Sequence, residues 1–166
     1  MNKNRIVTNS AILLTLLANI GCDQISKNIV REKVDYYESI SLISNYFTLT
    51  KVENDGAFLS LGSALPETIK FILLSGIPVM ALAFGVGYMF LRKNISFISM
   101  LALSFAIGGG IGNIYDRVVH GSVTDFLHID LGIVQTGIFN MADVSIMVGM
   151  GLFFVQSFFN RRRTIS

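Results

Sequence analysis

The sequence predicts an all-α membrane protein of four transmembrane helices, with a small extracytoplasmic β element between the first and the second. Three observations carry that prediction. Of 166 residues, 52% are hydrophobic and only 14% charged, which is too apolar for an ordinary soluble domain of this length. The apolar residues gather in four stretches, at residues 6–22, 69–91, 95–114 and 138–159, each long enough to cross ~30 Å of hydrocarbon as a helix. Basic and acidic residues segregate along the chain in a way that an even number of crossings satisfies.

With their polar ends counted, the spans run over about 6–26, 69–91, 95–116 and 138–159, and the chain forms one membrane domain over 1–166. The first opens on Lys3 and Arg5 and closes near Asp23. The separators differ in kind. Arg92-Lys93-Asn94 is a tight basic turn, so the second and third spans form a helical hairpin, whereas about 28–66 is a polar stretch long enough to fold outside the bilayer. Within it, residues 41–50 are rich in β-branched and aromatic residues, as an extrinsic strand would be. Asn54-Asp55-Gly56 then reads as a turn.

Lys3 and Arg5, Arg92 and Lys93, and Arg161, Arg162 and Arg163 occupy three segments that hold no Asp or Glu. By the positive-inside rule these are cytoplasmic, and both termini with them. Every acidic residue lies in the other half. The single cysteine, Cys22, excludes an intrachain disulfide and a cysteine-rich metal site, and His120 and His128 stand eight apart without a cysteine nearby, a poor match to zinc spacings. Ile20-Gly21-Cys22 after a basic start also resembles a cleaved lipoprotein signal, but Asn19 stands where a large aliphatic residue is needed and three further spans follow. Cys22 is expected to be a small apolar filler.

The depth of the acidic residues places the chemistry. Counted along helices, Arg5 to Asp23, Lys93 to Asp116 and Arg161 back to Asp143 span roughly 27, 34 and 27 Å. Three aspartates from three spans therefore arrive at one interface, where an ionised, unpaired carboxylate is costly and faces the bundle interior. On the third span, Asn113, Asp116 and Arg117 share a face at i, i+3 and i+4, above a Gly108/Gly112 pair that admits a close helix neighbour. Gly108-Gly109-Gly110 does not open a helix after a strand, so it is not a phosphate loop. The fourth span opens Asn140-x-x-Asp143, where Asn140 can cap the helix and Asp143 sits at the positive end of its dipole. Capping alone leaves the second Asn-x-x-Asp at equal depth unexplained. Two carboxylates brought close do not both ionise easily, so Asp116 and Asp143 are expected to act as general acid and base on one water, without metal or nucleophile.

At these residues the chain closely resembles bacterial lipoprotein signal peptidase, also called signal peptidase II. The resemblance runs the length of the chain in five ordered blocks: Asp23-Gln24-x-x-Lys27, Asn54-x-Gly56-Ala57, Gly112-Asn113-x-x-Asp116-Arg117, Val123-x-Asp125-Phe126 and Phe139-Asn140-x-Ala142-Asp143. It implies an aspartic endopeptidase of the bacterial inner membrane that cuts before a diacylglyceryl-modified cysteine, with its site at the outer face. Asp116 and Asp143 are then the catalytic dyad. Asn113, Asn140 and Arg117 line the site, and Asp23, Lys27, Asn54, Gly56 and Ala142 support it or hold substrate. The implied partners are prolipoproteins, membrane lipids and cyclic peptide inhibitors of the globomycin type, with no cofactor, metal or nucleic acid. Phe58 and Leu59 depart from the family's small-then-aromatic pair, which bears on the shape of the substrate cradle.

Two rival functions meet specific obstacles. A proton-coupled transporter usually places its carboxylate near the midplane and often carries internal repeats, whereas these aspartates sit at one edge and no repeat is visible. A presenilin-like protease would share Tyr115-Asp116 but needs a Gly-x-Gly-Asp partner that this chain lacks.

Overall fold

The computed structural model describes residues 3–44, 46–57, 62–92 and 95–165, with the side chains of 3–6 and 160–165 outside that description. Among the described residues, four long helices and three strands make the fold. In chain order they are α1 (Lys3–Lys33), β1 (Ser39–Ile43), β2 (Phe47–Asn54), α2 (Glu67–Leu91), α3 (Phe97–His120), β3 (Val123–Ile129) and α4 (Met141–Ile165). Among the described residues, three helices are long and apolar enough to cross a membrane: Glu67–Leu91, Phe97–His120 and Met141–Phe159. The basic turn at Lys93 and Asn94 and the Phe58-Leu59 departure lie outside the described residues.

α3 is the centre of the bundle, because its glycines let two helices approach its backbone. A Cβ at Gly108 would meet Asn19 of α1, one at Gly112 would collide with the Asp23 carboxylate, and one at Gly109 would collide with the Ala142 carbonyl of α4. The Gly108/Gly112 pair thus admits α1, as its spacing predicts, and Gly109 admits α4. Contacts advance together along α1 and α3, and in opposite senses along α3 and α4, where Gly149 meets Ala102. α2 runs antiparallel to α3, with Gly110 against Leu82 and Gly85 against Ile107. The N-terminal end of α1, the α2–α3 connection and the C-terminal end of α4 therefore share one end of the bundle. The sheet occupies the other.

Local chemistry sets the ends. Ser96 caps α3 by accepting from the Ser99 N–H at 3.1 Å, and Gly121, at φ 81°, closes it in the left-handed conformation. In α2 the wide π-helical turn Ile72–Gly76 ends two residues before Pro78, which has no N–H to continue the ladder. α1 continues ten residues past Asp23, well beyond the expected end near 26. No Gly or Pro interrupts it there, and Val30 and Val34 pack on Phe126 in the hydrophobic cluster beneath the sheet.

The extrinsic element is a three-stranded antiparallel sheet in the order β1-β2-β3. The extended run expected over 41–50 is two strands, folded back at a turn where Ser44 takes φ 48°. The third strand comes from the segment between α3 and α4 and was not legible as part of this sheet. Asn54-Asp55-Gly56 is a turn, with the Gly56 N–H donating to Asn54 Oδ1 at 3.0 Å.

The burial pattern is that of a bundle bathed in lipid. Phe84, Phe90 and Leu91 are exposed, whereas the largest fully buried side chains are Lys27, Asn140, Thr124, Asp23, Asp116 and Ser104. Cys22 is exposed on α1, so it is not the buried filler expected of it.

Candidate functional site

Two polar clusters meet where the helices reach the sheet. The first is ionic. Asp23, Lys27 and Arg31 recur every four residues and so line one stripe of α1, which faces Asp116 of α3. Lys27 Nζ lies 2.9 Å from Asp23 Oδ2 and 3.0 Å from Asp116 Oδ2, and Arg31 places an Nη 3.0 Å from that same Asp116 oxygen. The Gln24 side-chain amide donates to Asp116 Oδ1 at 3.1 Å, and the Ala142 N–H donates to Asp23 Oδ1 at 2.9 Å. Asp23, Lys27 and Asp116 have no exposed surface at all. Two carboxylates and two cations thus balance in a closed, hydrogen-bonded set, the condition under which buried charge is tolerated.

The second cluster is an amide-linked pair of carboxylates. Asn140 and Asp143 exchange bonds across the first turn of α4: the Asp143 N–H donates to Asn140 Oδ1 at 3.0 Å and the Asn140 N–H to Asp143 Oδ2 at 3.1 Å, a reciprocal cap. Asn113 of α3 donates to the other Asp143 oxygen at 2.9 Å. The Asn140 side-chain amide donates to Asp125 Oδ1 at 2.6 Å, and Asn54 donates to Asp125 Oδ2 at 2.9 Å. Asp125, on β3, is buried, while Asp143 keeps a partly open face. Burial pushes the Asp125 carboxyl up to about 6, and the nearby Asp143 charge adds to that push against the Asn54 and Asn140 donors.

Arg117 closes this second cluster. It donates to the Gly56 carbonyl at 3.0 Å, while its buried Nε has no hydrogen-bond partner among the described residues. Its charge acts on Asp125, Asp143 and Asp116 together. Asn113 joins the two clusters, since its Oδ1 accepts from Lys27 at 2.9 Å while its amide holds Asp143.

All ten residues singled out from the sequence therefore gather in one region. Asp23, Lys27, Asp116 and Ala142 fall in the ionic cluster, and Asn54, Gly56, Arg117, Asn140 and Asp143 in the other, with Asn113 between. Among the described residues Asp116 does not pair with Asp143; Lys27 and Asn113 link the two, and the Asp116 oxygens are committed to Lys27, Arg31 and Gln24. The carboxylate that shares Asn140 with Asp143 is Asp125. Sequence reasoning gave Asp125 no role, although it marks one of the five blocks and is the one charge within the strand Val-Thr-Asp-Phe-Leu-His-Ile. Arg31 was also missed, as was Thr124, whose hydroxyl accepts from Arg31 Nε at 2.8 Å. Among the described residues no group of three or more His, Cys, Asp or Glu is arranged to hold a metal.

The sequence pattern of the family described as signal peptidase (SPase) II matches residues 15–159. Lipoprotein signal peptidase of Sulfurihydrogenibium sp. is 29% identical over 167 residues, covering 100% of this chain and 99% of its own. That of Listeria monocytogenes is 33% identical over 151 residues, covering 91% and 95%. A solved bacterial membrane enzyme, obtained by the in meso method, superposes with a TM-score of 0.82 at 24% identity over 92% of this chain and 90% of that one, and so shares its fold.

Proposed function

Because this chain belongs to the signal peptidase II family, we propose that it removes signal peptides from prolipoproteins in a bacterial membrane, and that Asp125 and Asp143 carry out the hydrolysis. The observation that carries the assignment of the dyad is Asn140, whose side chain and backbone touch both carboxylates at once. Asp116, which the sequence alone favours, is enclosed and neutralised by two cations, whereas a general base needs a free lone pair within reach of water.

In this reading Asp143, open on one side, takes a proton from water as the oxygen attacks the scissile carbonyl carbon. Asp125, buried and holding its proton below about pH 6, gives it to the carbonyl oxygen. As the tetrahedral carbon collapses, Asp143 passes its proton to the amine nitrogen, the C–N bond breaks, Asp125 recovers a proton from the hydroxyl, and the signal peptide keeps a new carboxyl group. Arg117, whose Nε has no partner among the described residues, supplies a donor to the extended substrate chain, while Gly56 holds Arg117 and Asn54 holds Asp125. Asp23, Lys27, Asp116 and Ala142 hold α1, α3 and α4 in register beneath it.

The finer parts of the proposal follow from topology and chemistry. The substrate carries a diacylglyceryl cysteine, whose acyl chains remain in the leaflet on the sheet's side while its signal helix lies among the spans, so the cut falls just before that cysteine. The distribution of basic residues supports a topology with both termini in the cytoplasm and the site at the outer face of the inner membrane. Globomycin-type cyclic peptides would occupy the same cleft. Purified protein incubated with a synthetic lipidated prolipoprotein, and with its unlipidated twin, tests this by mass analysis of products. Cleavage immediately before the lipidated cysteine, with the unlipidated peptide left whole, is expected; cleavage of neither would reject the proposal.

A further inference from the structure

We propose that the two hairpin tips at one end of the sheet are a lipid anchor, inserted in the head-group and acyl boundary of the leaflet on the sheet's side. One tip is the β1–β2 turn, with Ile43 and Tyr46 exposed. The other is the turn beyond β3, where Leu131, Ile133 and Val134 are exposed and Ile133 is 99% accessible. The tips are tied together, since the Asp130 N–H donates to the Tyr46 carbonyl at 2.9 Å. The second turn is itself closed, with the Leu131 N–H donating to the Val134 carbonyl and the Gly132 N–H to the Asp130 carboxylate. The result is an ordered apolar surface. Residues 39–47 and 131–136 hold no charged side chain, and Asp130 sits at the base of its turn.

The sheet's attachment to the bundle says what covers that surface. α3 ends at His120 and β3 begins at Val123, while Phe139, two residues before α4, bonds to Leu127 in both directions. Val123 and Leu127 are thus fastened to the ends of two adjacent helices. Four strand residues span about 13 Å, comparable with the roughly 8–10 Å between packed helix axes. β3 therefore runs across the bundle end, in the plane of the membrane, and its continuation past Leu127 overhangs α4. An overhang at that level lies over lipid, and exposed aromatic and aliphatic residues at such a height are stable when sunk a few ångströms into the interface.

The chain has no tryptophan, so a single introduced one reports its own surroundings. Ile133→Trp and Val134→Trp, made separately in the full-length protein, replace side chains on the exposed tip. Ser39→Trp, at the opposite end of the sheet, serves as the water-exposed control. Each is reconstituted in phosphatidylcholine–phosphatidylglycerol vesicles. We expect emission from the two tip variants to be blue-shifted, quenched by lipids brominated near the head-group end of the acyl chain, and protected from aqueous iodide, with the control behaving oppositely. Iodide quenching of both tip variants without bromolipid quenching would overturn the anchor. Protection that vanishes on dilution of protein in lipid, again without bromolipid quenching, would overturn it in favour of a second copy of this chain.

Discussion

The Asn140 side-chain amide lies 2.6 Å from Asp125, and the Asn140 backbone N–H holds the Asp143 carboxylate at 3.1 Å. One residue at the entrance of α4 thereby fixes the mutual position of a strand carboxylate and a helix carboxylate. Asp125→Asn and Asp143→Asn are each expected to insert and fold, because Asn keeps the shape without a buried charge. Each should lose cleavage by several orders of magnitude, and the double variant should be scarcely worse than either, as residues acting as a unit are strongly non-additive. Turnover of a lipidated substrate by the purified variants is the measurement. Substantial activity in Asp125→Asn, combined with none in Asp116→Asn at equal folded fraction, would return the acid role to Asp116.

The dyad should also write itself into the pH profile. Asp125 is pushed from the ordinary 3.8 up to about 6, so the form with a proton on Asp125 is abundant below that value and is lost above it. Cleavage efficiency, as kcat/KM, is expected to fall as pH rises through about 6 in the free enzyme, with the limb belonging to the coupled pair. Stability has the same sign: between the unfolded and folded values the native state binds a proton that the unfolded chain has released, so Asp125 costs stability as pH rises across that window. Asp125→Asn should flatten that dependence, and Asp143→Asn should lower the Asp125 titration seen by carboxyl infrared spectroscopy, because the neighbouring negative charge is gone.

The spans were legible because hydrophobic length is a local property, and the convergence of Asp23, Asp116 and Asp143 followed from counting along helices. What the sequence hid depends on contacts between distant segments. Hydropathy ends α1 where the chain becomes polar, near 26, yet the helix runs on to Lys33, with Lys27 and Arg31 turned to Asp116 of α3 while Asn28, Glu32 and Lys33 stay exposed. That truncation concealed Arg31, two turns beyond Asp23, and with it the second cation on Asp116. Asp125 was obscured for a related reason. Its strand belongs to a sheet whose other members precede α2, and no spacing rule links it to Asn140.

Close packing at Gly112 gives a sharp structural test. A Cβ there would drive into the Asp23 carboxylate, which is itself held by Lys27 and the Ala142 N–H. Gly112→Ala is expected to destabilise by about 1–3 kcal/mol and to lower activity by displacing α1 from α3. Gly151→Ala, on an open face of α4, should be nearly silent. Thermal unfolding in detergent micelles compares them; an unshifted Gly112→Ala would mean that α1 does not seat as described.

The ionic cluster makes a prediction about charge balance rather than about any one contact. Asp23 and Asp116 face Lys27 and Arg31, and three of the four are fully buried or nearly so in a region that lipid surrounds. Lys27→Met leaves two carboxylates against Arg31, and Asp116→Asn leaves two cations against Asp23. Removing one partner of a buried pair typically costs about 3–5 kcal/mol, because an uncompensated charge stays behind. The double variant restores neutrality, with one carboxylate against one guanidinium, and should recover much of the stability that either single change loses. A coupling of a few kcal/mol in this double-mutant cycle is expected, larger than distant sites ever show. Proteolysis-resistant yield and thermal midpoint, read side by side for the four proteins, would measure it. Purely additive losses would mean that Lys27 and Asp116 do not share the cluster, and that its cations do not withdraw Asp116 from catalysis.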